Sequence, residues 1–186
     1  MGGGEAARYI GKYGSENVSK AVIVSGVPPY LIKTPDNPEG VDKSVFTGIE
    51  TAVKADRYAF FTEFFKDFYN TDVLMGMLVS EQTVKASWNV AAGCSATASL
   101  ECVSTWHTDL RKDVARIDVP TLVMHGVADR IIPITAAGPR TAKLIKGARL
   151  VVVEGGPHCI TWTHSEVVNR ELLVFLGEGM AAKKGA

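Results

Sequence analysis

Three short runs rich in β-branched residues constrain the fold of this chain more than any other feature. They cover residues 21–25, 121–125 and 149–154, and each is apolar at nearly every position. Runs without polar alternation predict strands covered on both faces, as in a parallel sheet. Residues 135–146 place apolar side chains on one helical face and precede Gly147, a typical helix stop. This order of strand, helix and strand predicts a right-handed βαβ unit, and therefore an α/β fold.

Composition and charge restrict the classes of function. The 186 residues are 46% hydrophobic and 22% charged, which suits one domain with a sizeable core. The 20 basic residues balance the 20 acidic ones, whereas binders of nucleic acids or anionic membranes usually carry a basic excess. We therefore expect neither a nucleic acid nor a membrane as a partner. The N-terminus lacks a signal-peptide pattern, and three cysteines without a CxxC pair favour a reducing, cytoplasmic location.

The chain divides into a predicted core and a predicted insertion. Residues 1–27 and 113–186 contain the three apolar runs and are expected to form the α/β core, which is a partial sheet flanked by helices. Residues 28–112 begin with a proline-rich loop and then show only helical patterns. We expect this segment to form a helical cap between two strands.

A dense group of aromatic residues lies within the predicted cap, at positions 58–69. Its simplest role is to pack the cap against its surroundings. Pockets under caps are mostly apolar, so Phe60, Phe61 and Phe64 are also candidates for lining a substrate pocket.

The chain opens with Gly2, Gly3 and Gly4, directly before a helical pattern over residues 5–13. Glycine is a poor helix former. The three glycines therefore predict a close backbone approach just before this helix.

Two polar side chains follow two of the predicted strands. Asp129 comes shortly after the run at 121–125, and His158 comes shortly after the run at 149–154. The carboxyl ends of parallel strands meet at one edge of a sheet, so the two side chains should be neighbours. An Asp that faces a His orients the imidazole and stabilises its charged form, which makes the His a general base.

Four segments, MGGGEAARYIGKYG, KAVIVSGVPP, IDVPTLVMHGVADRIIPI and VVVEGGPHCITWTH, occur in an order that resembles the α/β-hydrolase family. Within it they are similar to the cofactor-free haloperoxidases and aryl esterases. The resemblance implies Asp129 as the triad acid, His158 as the base and the backbone N–H of Met1 as an oxyanion donor. It also implies a small ester or carboxylic acid as substrate, water or peroxide as acceptor, and neither a cofactor nor a metal.

The nucleophile of this family lies in a Gly-x-Ser-x-Gly elbow, and Met1 and Gly2 match only its last two positions. The resemblance therefore implies that the chain corresponds to the C-terminal two-thirds of a hydrolase and is inactive alone. It also implies an open sheet edge, through which we expect self-association.

Several alternatives to this interpretation stay open. The chain could be a non-catalytic fragment or a partner-dependent binding module, or it could belong to an enzyme like the haloalkane dehalogenases, with an Asp nucleophile. Ser25 and Cys159 are weaker candidates for a nucleophile within the chain, because the turn at Ser25 does not fit an elbow and Cys159 adjoins His158 in sequence. His125 ends a strand and is expected to be a packed structural residue.

Overall fold

A computed structural model, which describes residues 1–177, contains one parallel three-stranded sheet. Its strands are β1 (Ala21–Val24), β2 (Thr121–Gly126) and β3 (Arg149–Val153), and β2 lies in the centre. All six residues of β2 are buried, as its continuous apolar run predicts. The three predicted strands and the α/β class are confirmed.

Helices pack on both faces of the sheet and fill the connection between β1 and β2. In chain order they are α1 (Gly2–Tyr13), α2 (Lys43–Tyr69), α3 (Thr71–Leu74), α4 (Glu81–Ala92), α5 (Ala96–Thr105), α6 (Arg111–Val114), α7 (Gly138–Leu144), α8 (Ile160–Thr163) and α9 (Ser165–Gly177). No helix of the described residues combines the length and the apolar character that crossing a bilayer requires.

Successive side chains of β2 enter two different hydrophobic cores, because neighbouring residues of a strand point to opposite faces. Val123 packs in a core that includes residues of α1 and β1 and of the loop after β1. Leu122 and Met124 pack in a second core, with Val168 and Phe175 of α9. The sheet is therefore covered on both faces around its central strand.

Helix α1 begins at Gly2, whereas the sequence predicts a start at residue 5. A Cβ atom on Gly3 would lie 2.9 Å from Cγ2 of Ile23, and one on Gly4 would lie 2.9 Å from Cγ2 of Val27. The predicted close approach therefore exists, but within the first helical turn. The two glycines let this turn lie directly against β1 and the residues that follow it.

The helix predicted over residues 135–146 is broken in the structure. A 3₁₀ turn at Ile134–Ala136 is followed by α7, and Ala137 between them has non-helical torsion angles (φ −131°, ψ −85°). Pro139 accounts for the break, because it lacks the backbone N–H that a continuous helix would bond to the carbonyl of Thr135, whereas proline is well tolerated in the first turn of a new helix.

The segment between β1 and β2 contains only helices and loops, together with isolated bridges. Part of it has a core of its own, whose buried residues run from Phe61 in α2 to Val79 before α4 and include Phe65 and Tyr69. Other parts, such as Leu31 and Phe46, pack in the core on the sheet. The division into residues 1–27 and 113–186 against 28–112 stays a prediction.

Strand β1 pairs with β2 on one side, and no strand within residues 1–177 pairs with its other side. The backbone N–H groups of Ala21 and Ser25 bond to the β2 side, so those of Val22 and Val24 face the open edge. Edges of this kind recruit other chains.

We expect hydrogen exchange at Val22 and Val24 to slow as protein concentration rises, with that of Ile23 as internal reference. Concentration-independent exchange, with a monomeric elution volume, would exclude self-association through this edge.

Candidate active site

The turns after β2 and β3 bring Asp129 and His158 together at the carboxyl edge of the sheet. Nδ1 of His158 lies 2.8 Å from Oδ2 of Asp129. The two turns are tied by backbone hydrogen bonds, among them the bond from the N–H of Ala128 to the carbonyl of Gly156 (2.9 Å). The neighbourhood predicted from parallel strand geometry is therefore present in the structure.

The carboxylate of Asp129 is fully buried and accepts four hydrogen bonds or close contacts. Oδ1 accepts the N–H groups of Ile131 (2.9 Å) and Ile132 (2.8 Å). Oδ2 contacts Nδ1 of His158 and also Nε2 of His125, at 3.2 Å. Burial raises the pKa of Asp129, but the hydrogen bonds from His125, His158 and the backbone outweigh it and lower the pKa to about 2. The carboxylate is therefore held ionised, which is the form that orients an imidazole.

His125 contacts the carboxylate of Asp129, and the sequence did not reveal this role. Its side chain is completely buried, as expected for a packed residue, and its Nε2 also lies 2.9 Å from the carbonyl of Ile132. Nδ1 is buried without a hydrogen-bond partner among the described residues and packs against Gly138. This pattern assigns the proton to Nε2, which faces two acceptors. The spacing of four positions between His125 and Asp129 was the sequence feature that could have indicated this contact.

The lowered pKa of Asp129 predicts a pH-dependent contribution to stability. The carboxyl titrates at an ordinary value of 3.8 when the chain is unfolded and at about 2 when it is folded. The contribution of Asp129 to the unfolding free energy is therefore fully present at pH values above the pKa of the unfolded chain. It is lost as the pH falls through the pKa of the folded chain. We expect roughly 2 kcal/mol of the unfolding free energy to disappear over this range. Urea unfolding at a series of pH values measures it.

Asp129→Asn is the matched variant for this measurement, because it keeps the shape of the side chain and removes its titration. The difference in unfolding free energy between wild type and variant should shrink as the pH falls towards the folded pKa. A difference that stays constant with pH would contradict the assignment. Other carboxylates with lowered pKa values, such as Asp36 and Asp72, cancel in this comparison.

His158 lines a cavity of about 530 Å³ between the sheet edge and α2. Most of the lining is apolar, and Phe60 and Phe64, two of the three candidate pocket residues, belong to it. Phe61 does not line this cavity and is instead buried in the core of the insertion with Phe65. The charged lining residues are Glu63, Lys66, Asp67 and Arg130, which lie beside the imidazole of His158.

Met1 also lines the cavity, at the start of α1. Its carbonyl accepts the N–H of Gly4 at 2.7 Å, so the residue is fixed at the first turn of the helix. Its predicted role as an oxyanion donor stays a prediction.

Within residues 1–177, no side-chain hydrogen bond joins His158 to either of the two weaker nucleophile candidates. Ser25 directly follows β1 and has a positive φ of 43°, and its buried Oγ has no hydrogen-bond partner among the described residues. Cys159 packs beside the core of the insertion, and its Sγ lies 3.8 Å from Oγ1 of Thr161. Within residues 1–177, no three His, Cys, Asp or Glu side chains group so that they could hold a metal ion.

Comparison with known proteins identifies relatives over nearly the whole chain. A non-heme chloroperoxidase homologue of Synechocystis is 57% identical over 176 residues, which are 95% of this chain and 64% of the relative. A bifunctional esterase/perhydrolase of Acinetobacter calcoaceticus is 33% identical over 181 residues, covering 94% of this chain and 64% of that protein. The chain thus spans somewhat less than two thirds of the length of these relatives.

A solved structure and a family match agree with this result. The crystal structure of a bromoperoxidase from Bacillus anthracis superposes with a TM-score of 0.91 at 39% identity, covering 95% of this chain and 64% of that one. Residues 1–165 match the family described as having the alpha/beta hydrolase fold. Fold, strand-end pair and sequence similarity together show that this chain belongs to the α/β-hydrolase fold family.

Proposed function

We propose that this chain supplies the acid and base of a carboxylester hydrolase that works by acyl transfer through a Ser nucleophile. One observation carries the proposal, namely the hydrogen bond between buried Asp129 and His158 at the wall of an apolar cavity. The names of the two relatives described above, a non-heme chloroperoxidase homologue and an esterase/perhydrolase, support the same chemistry. The aryl-esterase type of activity and perhydrolysis are the finer parts of this proposal.

In the proposed reaction His158 accepts the proton of the nucleophilic hydroxyl as the hydroxyl attacks the ester carbonyl. Asp129 holds Nδ1–H of His158 and stabilises the imidazolium that forms. The backbone N–H at Met1 donates to the developing oxyanion, and His158 returns the proton to the leaving alcohol or phenol. By the family pattern, the Ser immediately precedes the residue that Met1 matches.

The second half of the reaction decides between two products. Attack of water on the acyl-enzyme releases a carboxylic acid and restores the Ser hydroxyl. Attack of hydrogen peroxide releases a peracid instead, which transfers one oxygen atom to a halide and becomes the carboxylic acid. Both routes use the same proton transfers at His158, so neither requires a metal at the site.

The cavity favours a neutral substrate with an apolar acyl or aryl group. Its charged lining side chains pair with one another, Lys66 with Glu63 at 2.8 Å and Arg130 with Asp67 at 3.7 Å. The aromatic rings of Phe60 and Phe64 lie side by side, with centroids 5.7 Å apart. Such a surface buries an aryl ester without leaving an unpaired charge against it.

A chimera tests the proposal. We expect a protein that joins the N-terminal segment of a full-length relative, including its Gly-x-Ser, to residue 1 of this chain to hydrolyse p-nitrophenyl acetate. The 186-residue chain alone should show no burst and no turnover, because removing a nucleophile costs about 10⁶-fold in such triads. Initial rates, together with labelling by a fluorophosphonate, measure both statements. A folded chimera that carries the Ser but is neither active nor labelled would contradict the proposal.

A further inference from the structure

The C-terminal end of α2 contacts both turns of the candidate site. The carbonyl of Phe68 accepts the N–H of Cys159 (3.2 Å), and the Phe68 ring lies 5.1 Å from the ring of His158, centroid to centroid. Two residues further, Nδ2 of Asn70 donates to the carbonyl of Ala128 at 2.8 Å. One short segment of the insertion therefore bonds to the residue that precedes Asp129 and to the residue that follows His158.

Asn70 occupies a position that few residue types fit. Its backbone is left-handed (φ 49°, ψ 55°), where it ends α2 and begins α3. Asn, Asp and Gly adopt this conformation most readily, and of these three only Asn carries a side-chain N–H donor. Asn70 is only 3% exposed, and its Oδ1 is buried without a hydrogen-bond partner in the described part of the chain. Among the described residues, the bond to Ala128 is therefore the one side-chain hydrogen bond of this buried amide.

The backbone groups of Ala128 connect the Asp129 turn to two other segments of the chain. Its carbonyl accepts from Asn70, and its N–H donates to the carbonyl of Gly156 in the turn that carries His158. A second link to α3 exists outside the buried region, where Arg130 pairs with Asp72 at 2.8 and 3.1 Å. That pair is exposed, and exposed pairs contribute little. Of these two links between the insertion and the Asp129 turn, the bond from Asn70 is the less exposed one.

We propose that Asn70 is a positioning residue that keeps the turns of Asp129 and His158 in register, so that the Asp129–His158 hydrogen bond forms. The inference rests on the proposed function in treating Asp129 and His158 as the acid and base. Without the amide, the carbonyl of Ala128 loses its partner and the Asp129 turn is free to shift away from α2. Small displacements at such a site weaken the hydrogen bond that fixes the imidazole.

The test determines the tautomer of His158 in the 186-residue chain. This measurement needs neither an ester nor a nucleophile. At alkaline pH the ¹⁵N shifts of labelled histidine report which ring nitrogen carries the proton. The bond to Asp129 favours Nδ1–H in the wild type. In Asn70→Gly, which fits the left-handed backbone, we expect the ratio of Nδ1–H to Nε2–H to fall about tenfold, as when a buried hydrogen bond is lost.

Two further variants make the result specific. Asn70→Asp keeps size and backbone but turns an oxygen towards the Ala128 carbonyl, so its ratio should fall at least as far. Asn89→Ala removes an exposed amide on α4 and should leave the ratio unchanged. Unchanged shifts of His107 and His164 serve as the check that each variant is folded. A wild-type ratio in folded Asn70→Gly or Asn70→Asp would overturn the proposal, whatever activity the chimera shows.

Discussion

Replacing His158 with Ala in the active chimera should lower kcat/KM for p-nitrophenyl acetate by about 10⁴-fold or more. The imidazole is the group that accepts the proton of the attacking hydroxyl, and alanine offers no substitute. The apolar cavity stays, so KM should change far less than kcat. Initial rates over a range of ester concentrations separate the two constants.

Two companion variants identify the cause of that loss. Asp129→Asn keeps the shape of the carboxylate, but its amide oxygen takes the bonds from the N–H groups of Ile131 and Ile132, so its NH2 group faces His158 in place of an acceptor. In related triads such a change costs about 10⁴-fold in kcat. His164→Ala serves as the control, because Nδ1 of His164 lies 2.9 Å from Oγ1 of Thr163 and His164 does not line the cavity. It should retain activity to within about threefold. If His164→Ala lowered kcat/KM as much as His158→Ala, the loss would come from disturbing the segment that carries both histidines and not from removing the His158 imidazole.

Gly126→Ala is expected to produce the largest loss of stability among single substitutions of a glycine near the site. A Cβ atom there would lie 2.6 Å from the carbonyl carbon of Gly156 and 2.8 Å from the carbonyl oxygen of Pro157. Both atoms belong to the backbone of the turn that carries His158, and neither can rotate away. We expect the unfolding free energy to fall by about 3 kcal/mol. Chemical denaturation measures this change.

The same substitution should also disturb the site, because it pushes the His158 turn away from the Asp129 turn. Gly48→Ala is the matched control: Gly48 lies within α2, and a Cβ atom there would meet no atom within 4 Å. Alanine is the better helix former, so Gly48→Ala should stabilise the protein by about 0.5–1 kcal/mol. Equal unfolding free energies for the two variants would show that the turns give way and that their close approach is not needed.

The sheet and the Asp129–His158 pair were predictable because each depends on a local pattern. Continuous apolar runs indicate buried parallel strands, and parallel strands end at the same edge. Two segments spaced along the chain thus locate two side chains in space without any knowledge of packing. The aromatic group at 58–69 indicated packing of the insertion and offered three candidate pocket residues, of which Phe60 and Phe64 line the cavity and Phe61 does not.

The contacts that complete the site were not predictable, because they depend on packing between distant segments. Whether His125 turns Nε2 towards Asp129 depends on the space that Gly138 leaves beside its ring. Phe61 differs from its neighbours Phe60 and Phe64 only by its rotation about the helix axis, and α2 contains a non-helical residue, Asp56, that resets this rotation. The sequence pattern does not give this rotation, so it could not predict which of the three Phe side chains faces the cavity.

The register of the sheet has a consequence for the order in which the chain folds. Leu122 of β2 pairs with Arg149 of β3, which is close along the chain, whereas Ala21 of β1 pairs with Thr121, about 100 positions away. Closing the longer loop costs roughly 1 kcal/mol more in chain entropy. Strands β2 and β3 should therefore join first, and the pocket wall should assemble afterwards onto turns that already hold Asp129 and His158. The Asp129 and His158 turns would then be neighbours before the insertion docks, and the bond from Asn70 would complete their alignment as the cavity forms.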